Sequence, residues 1–428
     1  MEDSDTLNAS QLVQECYRDY GEYVNTTRAV TGIDGLKKVQ RRMFLAIQDS
    51  AKNNWTQAAS VLGSCMKYHP HSEQHSVLVS MYHNGLVEGQ GNFGSSLLEH
   101  HPPAAPRYPS IKANKKLHDI LFGLKKYVPH ETEHEFEEPI YLATPIPFAL
   151  LTGTIGIGVG LLNSVPSFDL RSLIKARKKD DPSLLRPPKG VSIMASDIER
   201  IWERGEGWIQ YGLSCYNEWS HVDNKNVIVV EGSTRIFVPN LIKGLNSWLQ
   251  DEYINLRDES TDKLRVIIAR TPYIKKVTDS MIHDTCQRLA KRSFYYRIYC
   301  NQDGHSAVRL SMRNWLDQTW KLFNDVVESW REDNVNYYDG QIEIYSYIPK
   351  VSPHVLDNMS ARQIAKELKI SESLVKSIED KPIKLLRQGD FQQKIDDLNS
   401  KKKEVQNTTV ESLEEKFVEA IEEQKEEV

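Results

Sequence analysis

Arg107 and Tyr108 have the types and order best suited to covalent chemistry on a phosphate. A tyrosine ester keeps the energy of a phosphodiester bond, because a phenolate is a fair leaving group when the displaced hydroxyl returns. The free phenol has a pKa of about 10, so its anion needs a neighbouring cation. The guanidinium of Arg107 matches the geometry of a phosphate. The alternative for Tyr108 is a packing role, the expected role of most of the 19 tyrosines.

A second group of candidate residues lies in the segment LKKVQRRMFLAIQ. Its apolar residues recur at helical spacing and predict a helix over 35–50, with Asp34 as its N-cap. The remaining face carries four cations in two i, i+4 pairs: Lys37, Lys38, Arg41 and Arg42. Like charges at this spacing repel, so their clustering favours an anionic partner over the alternative of a solvated face.

His69 and His71 are the candidates for proton transfer or metal binding. Two histidines without a nearby cysteine or further ligands do not make a zinc site. The five cysteines are widely separated and show no C-x-x-C spacing, which argues against a disulfide framework and fits a reducing compartment. We therefore predict no metal site on this chain.

The elements around these residues indicate a DNA-binding module. Helical stretches at 56–66 and 73–84 follow the basic helix, and a Gly-rich segment at 86–96 suits a hairpin. Helix, turn, helix and hairpin in this order are typical of a winged helix. A short helix is predicted upstream, at 7–20.

The rest of the chain divides by composition. A polar, Pro-containing linker at 175–190 marks a predicted domain boundary, and strands alternate with helices from 191 to about 310. The sequence beyond 310 is mostly helical, with a strand-like segment at 341–348. The segment 391–428 is rich in Glu, Lys and Gln, which predicts a long helix or coiled coil.

Composition and charge limit the possible classes of protein. Hydrophobic residues make up 39% of the chain and charged residues 26%, as in an ordinary globular protein. No apolar run approaches the roughly 20 residues that a membrane span needs, and the acidic amino terminus does not resemble a signal peptide. We expect a cytoplasmic protein. The net charge of −5 includes a basic amino-terminal segment at 28–67 and an acidic carboxy-terminal segment at 411–428.

Six blocks in order resemble the gyrase A and topoisomerase IV C subunits, the DNA-cleaving subunits of type IIA topoisomerases. They are RAVTGIDGLKKVQRR (28–42), KYHPHSE (67–73), LVEGQGNFGS (86–95), AAPRY (104–108), GIGVGLLNSVPSFDL (156–170) and INLRDESTDKLRVII (254–268). The resemblance implies an α+β multidomain fold with a winged-helix DNA-binding domain, an α/β tower domain and a helical coiled-coil exit gate. The expected boundaries are an amino-terminal arm at 1–30, the breakage-reunion domain at 31–174, the tower at 175–310 and the gate at 311–428.

The resemblance also implies roles for individual residues. Tyr108 would form a 5′-phosphotyrosyl link supported by Arg107, with His69 and His71 near the scissile phosphate. Arg28 would act in the active site of the partner protomer. The DNA backbone would be bound by a set of cations: Lys37, Lys38, Arg41, Arg42 and Lys67. Ile157 would enter the base stack and bend the DNA, against the alternative of a core residue.

Mg²⁺ and ATP are expected on a partner chain. No ATP-binding motif is present, and cleavage needs a divalent metal to neutralise charge on the phosphate. The resemblance implies duplex DNA as substrate, a homodimer through the carboxy-terminal gate, and a separate B-type ATPase and TOPRIM subunit, which together make a heterotetramer.

Departures from the family pattern keep two alternatives open. HPHSE stands where the family has HPHGD, and Pro109 follows Tyr108 where Thr is usual. No Gln-Arg-Gly box or DNA-wrapping domain is present, so we expect relaxation and decatenation rather than the supercoiling of a gyrase. A chain this short resembles the minimal enzymes of large DNA viruses. The other alternative is a non-catalytic, dimeric architectural protein that bends DNA.

Overall fold

A computed structural model of the chain describes residues 9–70, 74–95, 101–133, 136–188, 191–232, 238–249, 254–260, 264–270, 278–290, 292–302, 306–347, 349, 366 and 391–427. Its helices and sheets confirm a mixed α+β protein. No helix in the described ranges is long and apolar enough to cross a membrane.

The amino-terminal elements alternate short strands with helices. In order, they are α1 (Ala9–Val24), a π-helix (Asn25–Ala29), β1 (Thr31–Gly32), α2 (Lys38–Ser50), β2 (Thr56–Gln57), α3 (Ala58–Tyr68), α4 (His75–His83), β3 (Val87–Gln90), β4 (Ser110–Ala113) and α5 (Lys115–Gly123). Strand β4 lies between β2 and β3, antiparallel to both. The two predicted helices are present as α3 and α4. The Gly-rich segment at 86–96 does not form a hairpin by itself, because its strand β3 pairs with β4, later in the chain.

Helix α2 begins three residues later than predicted, because Asp34 is not its N-cap. Lys37 takes that position, and its backbone N–H donates to the side chain of Gln40 at 2.8 Å. Asp34 is buried and accepts hydrogen bonds from the backbone N–H groups of Leu36 and Leu142, at 3.0 and 2.9 Å. It therefore joins two distant segments instead of starting a helix.

Two hairpins follow. In order, the elements are a 3-10 helix (Lys125–Tyr127), β5 (His130–Glu133), β6 (Phe136–Pro139), α6 (Phe148–Thr152), β7 (Thr154–Ile157), β8 (Leu162–Val165), α7 (Leu170–Lys179) and a 3-10 helix (Pro182–Leu184). The first five residues of the predicted linker are thus helical. Arg177 on α7 is buried, stacks over Trp320 and donates to Pro145 O at 3.0 Å.

The middle of the chain forms one large sheet. Its further elements are β9 (Ser192–Ser196), α8 (Ile198–Arg204), β10 (Glu206–Ser220), β11 (Lys225–Gly232), α9 (Val238–Leu249), β12 (Ile254–Asp258), β13 (Leu264–Arg270), α10 (Asp279–Ala290) and β14 (Arg292–Arg297). The strand order β12-β13-β11-β10-β14-β8-β7 joins this sheet to the second hairpin, and β9 pairs with β10. Leu245 and Ile282 bury α9 and α10 against the sheet.

The carboxy-terminal elements are β15 (Tyr299–Asn301), β16 (Ala307–Arg309), α11 (Met312–Tyr347), α12 (Phe391–Asn407) and α13 (Val410–Glu427). The strand predicted at 341–348 is wrong, because its described part, 341–347, continues α11. The chain forms two compact units: Met1–Lys321 with Phe417–Val428, and Leu322–Lys416. Within the first unit, the acidic α13 buries Phe417, while Glu422 pairs with Arg171 and Glu423 with Lys116. The three-domain division stays a prediction.

Candidate active site

The loop that carries Arg107 and Tyr108 is attached to the first turn of α3. The N–H groups of Ala58 and Ala59 donate to the carbonyl oxygens of Pro109 and Pro106, at 2.9 and 3.0 Å. The first N–H groups of a helix have no partner within the helix, so these two are available to hold a loop. The four-residue segment 106–109 is therefore fixed at both ends.

Tyr108 projects from this fixed segment into solvent, with 67% of its surface exposed. Arg107 Nη2 donates to the Tyr108 hydroxyl at 3.2 Å, and the guanidinium carbon lies 4.7 Å from the ring centroid. The pair has the composition and exposure that an attack on a phosphate requires.

The glycines before this loop serve packing as well as backbone conformation. A Cβ on Gly89 would lie 2.6 Å from the ring of Tyr82, which stacks on Phe93 with centroids 4.0 Å apart. His83 Nε2 bonds to the carbonyl oxygen of Phe93 at 3.0 Å. Gly91 has φ of 108°, a conformation that glycine adopts easily. Together these contacts hold the β3 end of the loop on α4.

The predicted basic face of α2 is directed into an acidic cluster. Arg42 is buried, and its Nε donates to Glu138 Oε2 at 2.8 Å. Glu133 accepts from Arg42 at 3.0 Å and also pairs with Lys38. Burial lowers the pKa of Arg42, yet the hydrogen bond that Arg42 donates to Glu138 raises this pKa above its ordinary value. Burial raises the pKa of Glu133, but the hydrogen bond from Lys38 outweighs burial and lowers this pKa below its ordinary value.

The remaining two cations of α2 also have partners within the chain. Arg41 is 5% exposed, and its Nε donates to Asp34 Oδ2 at 3.0 Å. Lys37 Nζ donates to the carbonyl oxygen of Ile155 at 2.9 Å, and burial lowers the pKa of this lysine. The alternative of a solvated face is therefore excluded for Arg41 and Arg42, and the anions that they meet are carboxylates of the same chain. Their carboxylates come from outside the helix.

His69 lies at the opposite end of α3 from the Tyr108 loop, about 15 Å away along a helix of this length. Arg42 Nη1 lies 3.2 Å from His69 Nδ1. An arginine only donates, so Nδ1 accepts and the ring proton is on Nε2. Gln74 donates to the His69 carbonyl oxygen. His71 lies outside the described residues.

One acidic group has the spacing of a metal site, but it does not fit a metal ion. Glu131, Glu133 and Glu138 can place ligand oxygens within 4.8 Å of one another. Lys38 Nζ lies 2.8 Å from Glu131 and also pairs with Glu133, while Arg42 pairs with Glu138. The two cations neutralise the position that a metal ion would take. We assign no metal-dependent step to these carboxylates.

Three further predicted residues are exposed. Ile157 is 79% exposed at the end of β7, which excludes the core alternative for it. Arg28 is exposed on the π-helix, with its guanidinium carbon 5.7 Å from the Tyr23 ring centroid. Lys67 is exposed in the last turn of α3. These side chains are accessible to a large polyanion.

The functional residues that sequence reasoning missed are carboxylates and an amide. Glu138 fixes Arg42 and, through it, His69. Asn25 bonds in both directions to the backbone of Val159 in the β7–β8 turn, at 2.8 and 3.1 Å. The unusually dense run HETEHEFEE, which contains Glu131, Glu133 and Glu138, was a signal that Lys38 and Arg42 had internal partners. Nothing local pointed to Asn25.

Comparison with known proteins identifies one family. The model of the family described as the A subunit of DNA gyrase/topoisomerase IV matches residues 28–428. The A subunit of DNA topoisomerase 4 from Staphylococcus aureus is 26% identical over 420 residues, covering 89% of this chain and 48% of the relative. The DNA gyrase A subunit of Clostridium acetobutylicum is 27% identical over 311 residues, covering 64% and 37%. The chain thus spans less than half of the length of these relatives.

Proposed function

Because this chain belongs to the family of DNA gyrase and topoisomerase IV A subunits, we propose that it is the DNA-cleaving A-type subunit of a type IIA topoisomerase, with Tyr108 as the nucleophile. The observation that carries the proposal is the exposed Tyr108 hydroxyl, hydrogen-bonded to Arg107 on a loop fixed to α3. The substrate is duplex DNA, and the outcome is ATP-dependent strand passage that relaxes or decatenates it.

The proposed chemistry is a reversible transesterification. The Tyr108 oxygen attacks phosphorus and loses its proton to solvent, while the bond to the 3′ oxygen breaks and that oxygen takes up a proton. The resulting 5′-phosphotyrosyl ester keeps the bond energy, so return of the 3′ hydroxyl reseals the strand. Arg107 stabilises both the phenolate and the charge that develops on the phosphate.

DNA binding is assigned to the exposed residues. We assign the backbone contacts to Lys67 and Arg28, and the bend in the duplex to Ile157. His69 donates through Nε2–H to a phosphate oxygen, with Arg42 and Glu138 holding its ring in position. Arg41 and Lys38 are given structural roles, because their carboxylate partners already satisfy them.

The proposed domains follow from the elements. Helices α2–α4 with the sheet β2-β4-β3 have the order of a winged helix, which supports a breakage-reunion domain at 31–174 after an arm at 1–30. The large sheet supports a tower at 175–310 and the long helices a gate at 311–428. One Tyr108 per strand requires two copies of the chain. Mg²⁺ and ATP are assigned to a separate B-type subunit of a heterotetramer.

The test combines the full chain with a B-type partner, Mg²⁺ and end-labelled duplex DNA, and traps cleavage with detergent. Wild-type chain is expected to form a covalent protein–DNA adduct, and Tyr108→Phe to form none while binding DNA as before. Tyr127→Phe is the control, because Tyr127 lies outside the loop. Adduct from Tyr108→Phe would overturn the assignment. DNA bending without adduct from the wild type would instead support an architectural protein.

A further inference from the structure

The β7–β8 hairpin has one face that is fixed to the π-helix behind it. Gly156 and Gly158 lie on this face, where a Cβ on Gly156 would overlap the carbonyl oxygen of Ala29 and one on Gly158 would overlap Asn25. Asn25 bonds to both backbone groups of Val159 in the turn. The backbone of this hairpin is therefore held in place up to its turn.

Strand β8 is held just as firmly by its own buried side chains. Asn163 is fully buried, donates to Ala29 O at 3.3 Å and accepts from the N–H of Tyr299 at 3.0 Å. Ser164 donates to Tyr295 O and accepts from the N–H of Arg297. These bonds fix the direction in which the adjacent exposed residue, Leu162, is presented.

The opposite face of the hairpin is apolar and exposed. Ile155, Ile157 and Leu162 are 50%, 79% and 48% exposed. In the strand register, Ile157 lies directly opposite Leu162 beside the turn, whereas Ile155 lies opposite Ser164 further back. Directly paired side chains on one face have Cβ atoms about 5 Å apart. Ile157 and Leu162 thus form one contiguous apolar tip.

We propose that Leu162 is the second half of a two-residue wedge and that, with Ile157, it enters one base-pair step of bound DNA. This inference rests on the proposed function, because it needs duplex DNA as the partner. Scattered exposed apolar residues are common on protein surfaces, but a fixed pair at a hairpin tip loses little conformational freedom on insertion. Such a pair therefore suits insertion between stacked base pairs, which have to be separated.

The second side chain makes Leu162 a specificity-determining residue. Two apolar groups replace stacking on both bases of the opened step, and the cost of opening depends on the sequence of that step. Pyrimidine–purine steps such as TA unstack most easily. The wedge should therefore bias the bend, and with it the site of cleavage, towards duplexes with such a step at their centre.

The experiment measures bending of a duplex of about 30 base pairs by energy transfer between dyes at its ends, using the full chain. Two duplexes differ only in a central TA or GC step. Wild type is expected to bend both and to bind the TA duplex more tightly. Leu162→Ala is expected to weaken binding to the TA duplex about tenfold and to remove most of its advantage, because it deletes the buried apolar surface of one half of the wedge.

The matched control is Ile155→Ala, which removes a similar side chain from the same face away from the tip. It is expected to leave bending and step preference unchanged. Leu162→Met keeps an apolar group and should bend DNA like the wild type, which separates loss of the wedge from misfolding. Unchanged binding and step preference in Leu162→Ala, or an equal loss in Ile155→Ala, would overturn the wedge while leaving the cleavage test with Tyr108 intact. Failure of the wild type to bind DNA would overturn the proposed function as well.

Discussion

Two cationic regions of this chain use their charge in opposite ways. On α2, Lys38, Arg41 and Arg42 all pair with carboxylates of the same chain, and both arginines are buried. In the loop before β4, Arg107 is exposed and donates to the hydroxyl of Tyr108. In the part of the chain that the structure describes, Arg107 has no carboxylate partner. The α2 cations organise the protein, and the loop cation is left for a ligand.

This contrast shows what a cluster of positive charge can and cannot indicate. The four cations of α2 repel one another in isolation, and that cost has to be offset by anions. A nucleic acid is one source of anions, and the strand pair β5–β6, about 95 residues away in sequence, is another. Only the fold distinguishes the two sources. The more isolated Arg107 was the better indicator of a phosphate site.

The largest expected effect is on stability, from Glu138→Gln. This change leaves the buried guanidinium of Arg42 without its main anionic partner, which costs about 3–5 kcal/mol in comparable buried pairs. Urea denaturation of the full chain measures the free energy of unfolding. Asp119→Asn is the control, since it breaks the exposed Lys115–Asp119 pair and should cost less than about 1 kcal/mol. Equal effects would mean that Glu138 does not serve as the structural anion of α2.

Arg107→Ala is expected to show the reverse pattern. Removing the cation beside the phenol should slow formation of the covalent DNA adduct by about 10²–10³-fold, the usual cost of losing one donor to a transition-state oxyanion. The free energy of unfolding should change by less than about 0.5 kcal/mol, because the side chain is exposed. Single-turnover cleavage with a B-type partner measures the rate. A large loss of stability with normal cleavage in Arg107→Ala would mean that Arg107, like the α2 cations, has a structural role.

Local pattern predicted much of this protein, and distant pairing accounts for most of what it missed. The apolar period of α2 and the two helices that follow it were confirmed, because both depend on residues a few positions apart. The hairpin predicted within 86–96 was wrong, since β3 pairs with the later strand β4. The role of Asp34 was wrong, since its carboxylate binds the N–H of Leu142, 108 residues away. The segment 341–347 alternates like a strand, yet it forms the last two turns of helix α11.

The candidate site divides in the same way. Arg107 and Tyr108 are adjacent in sequence, so their contact needed no knowledge of the fold. The burial of Arg42 and the ring orientation of His69 depend on Glu138, which no spacing rule connects to them. The exposure of Ile157 follows from two glycines that let the opposite face lie against the π-helix. The sequence was therefore enough to locate the reactive pair of Arg107 and Tyr108, and the fold was needed to find the residues that position the other side chains of the candidate site.

The smallest expected effect is on the salt dependence of DNA binding, which distinguishes an exposed lysine from one that is paired within the chain. Each phosphate contact made by a lysine adds about 0.9 to the slope of log Kobs against log salt concentration for duplex DNA, so Lys67→Ala should lower that slope by about 1. Lys38→Ala should leave the slope unchanged and instead destabilise the chain, because its ammonium already neutralises Glu131 and Glu133. Fluorescence anisotropy of labelled duplex across a salt series measures both. A lower slope for Lys38→Ala would mean that the acidic cluster opens and releases its cations when DNA binds.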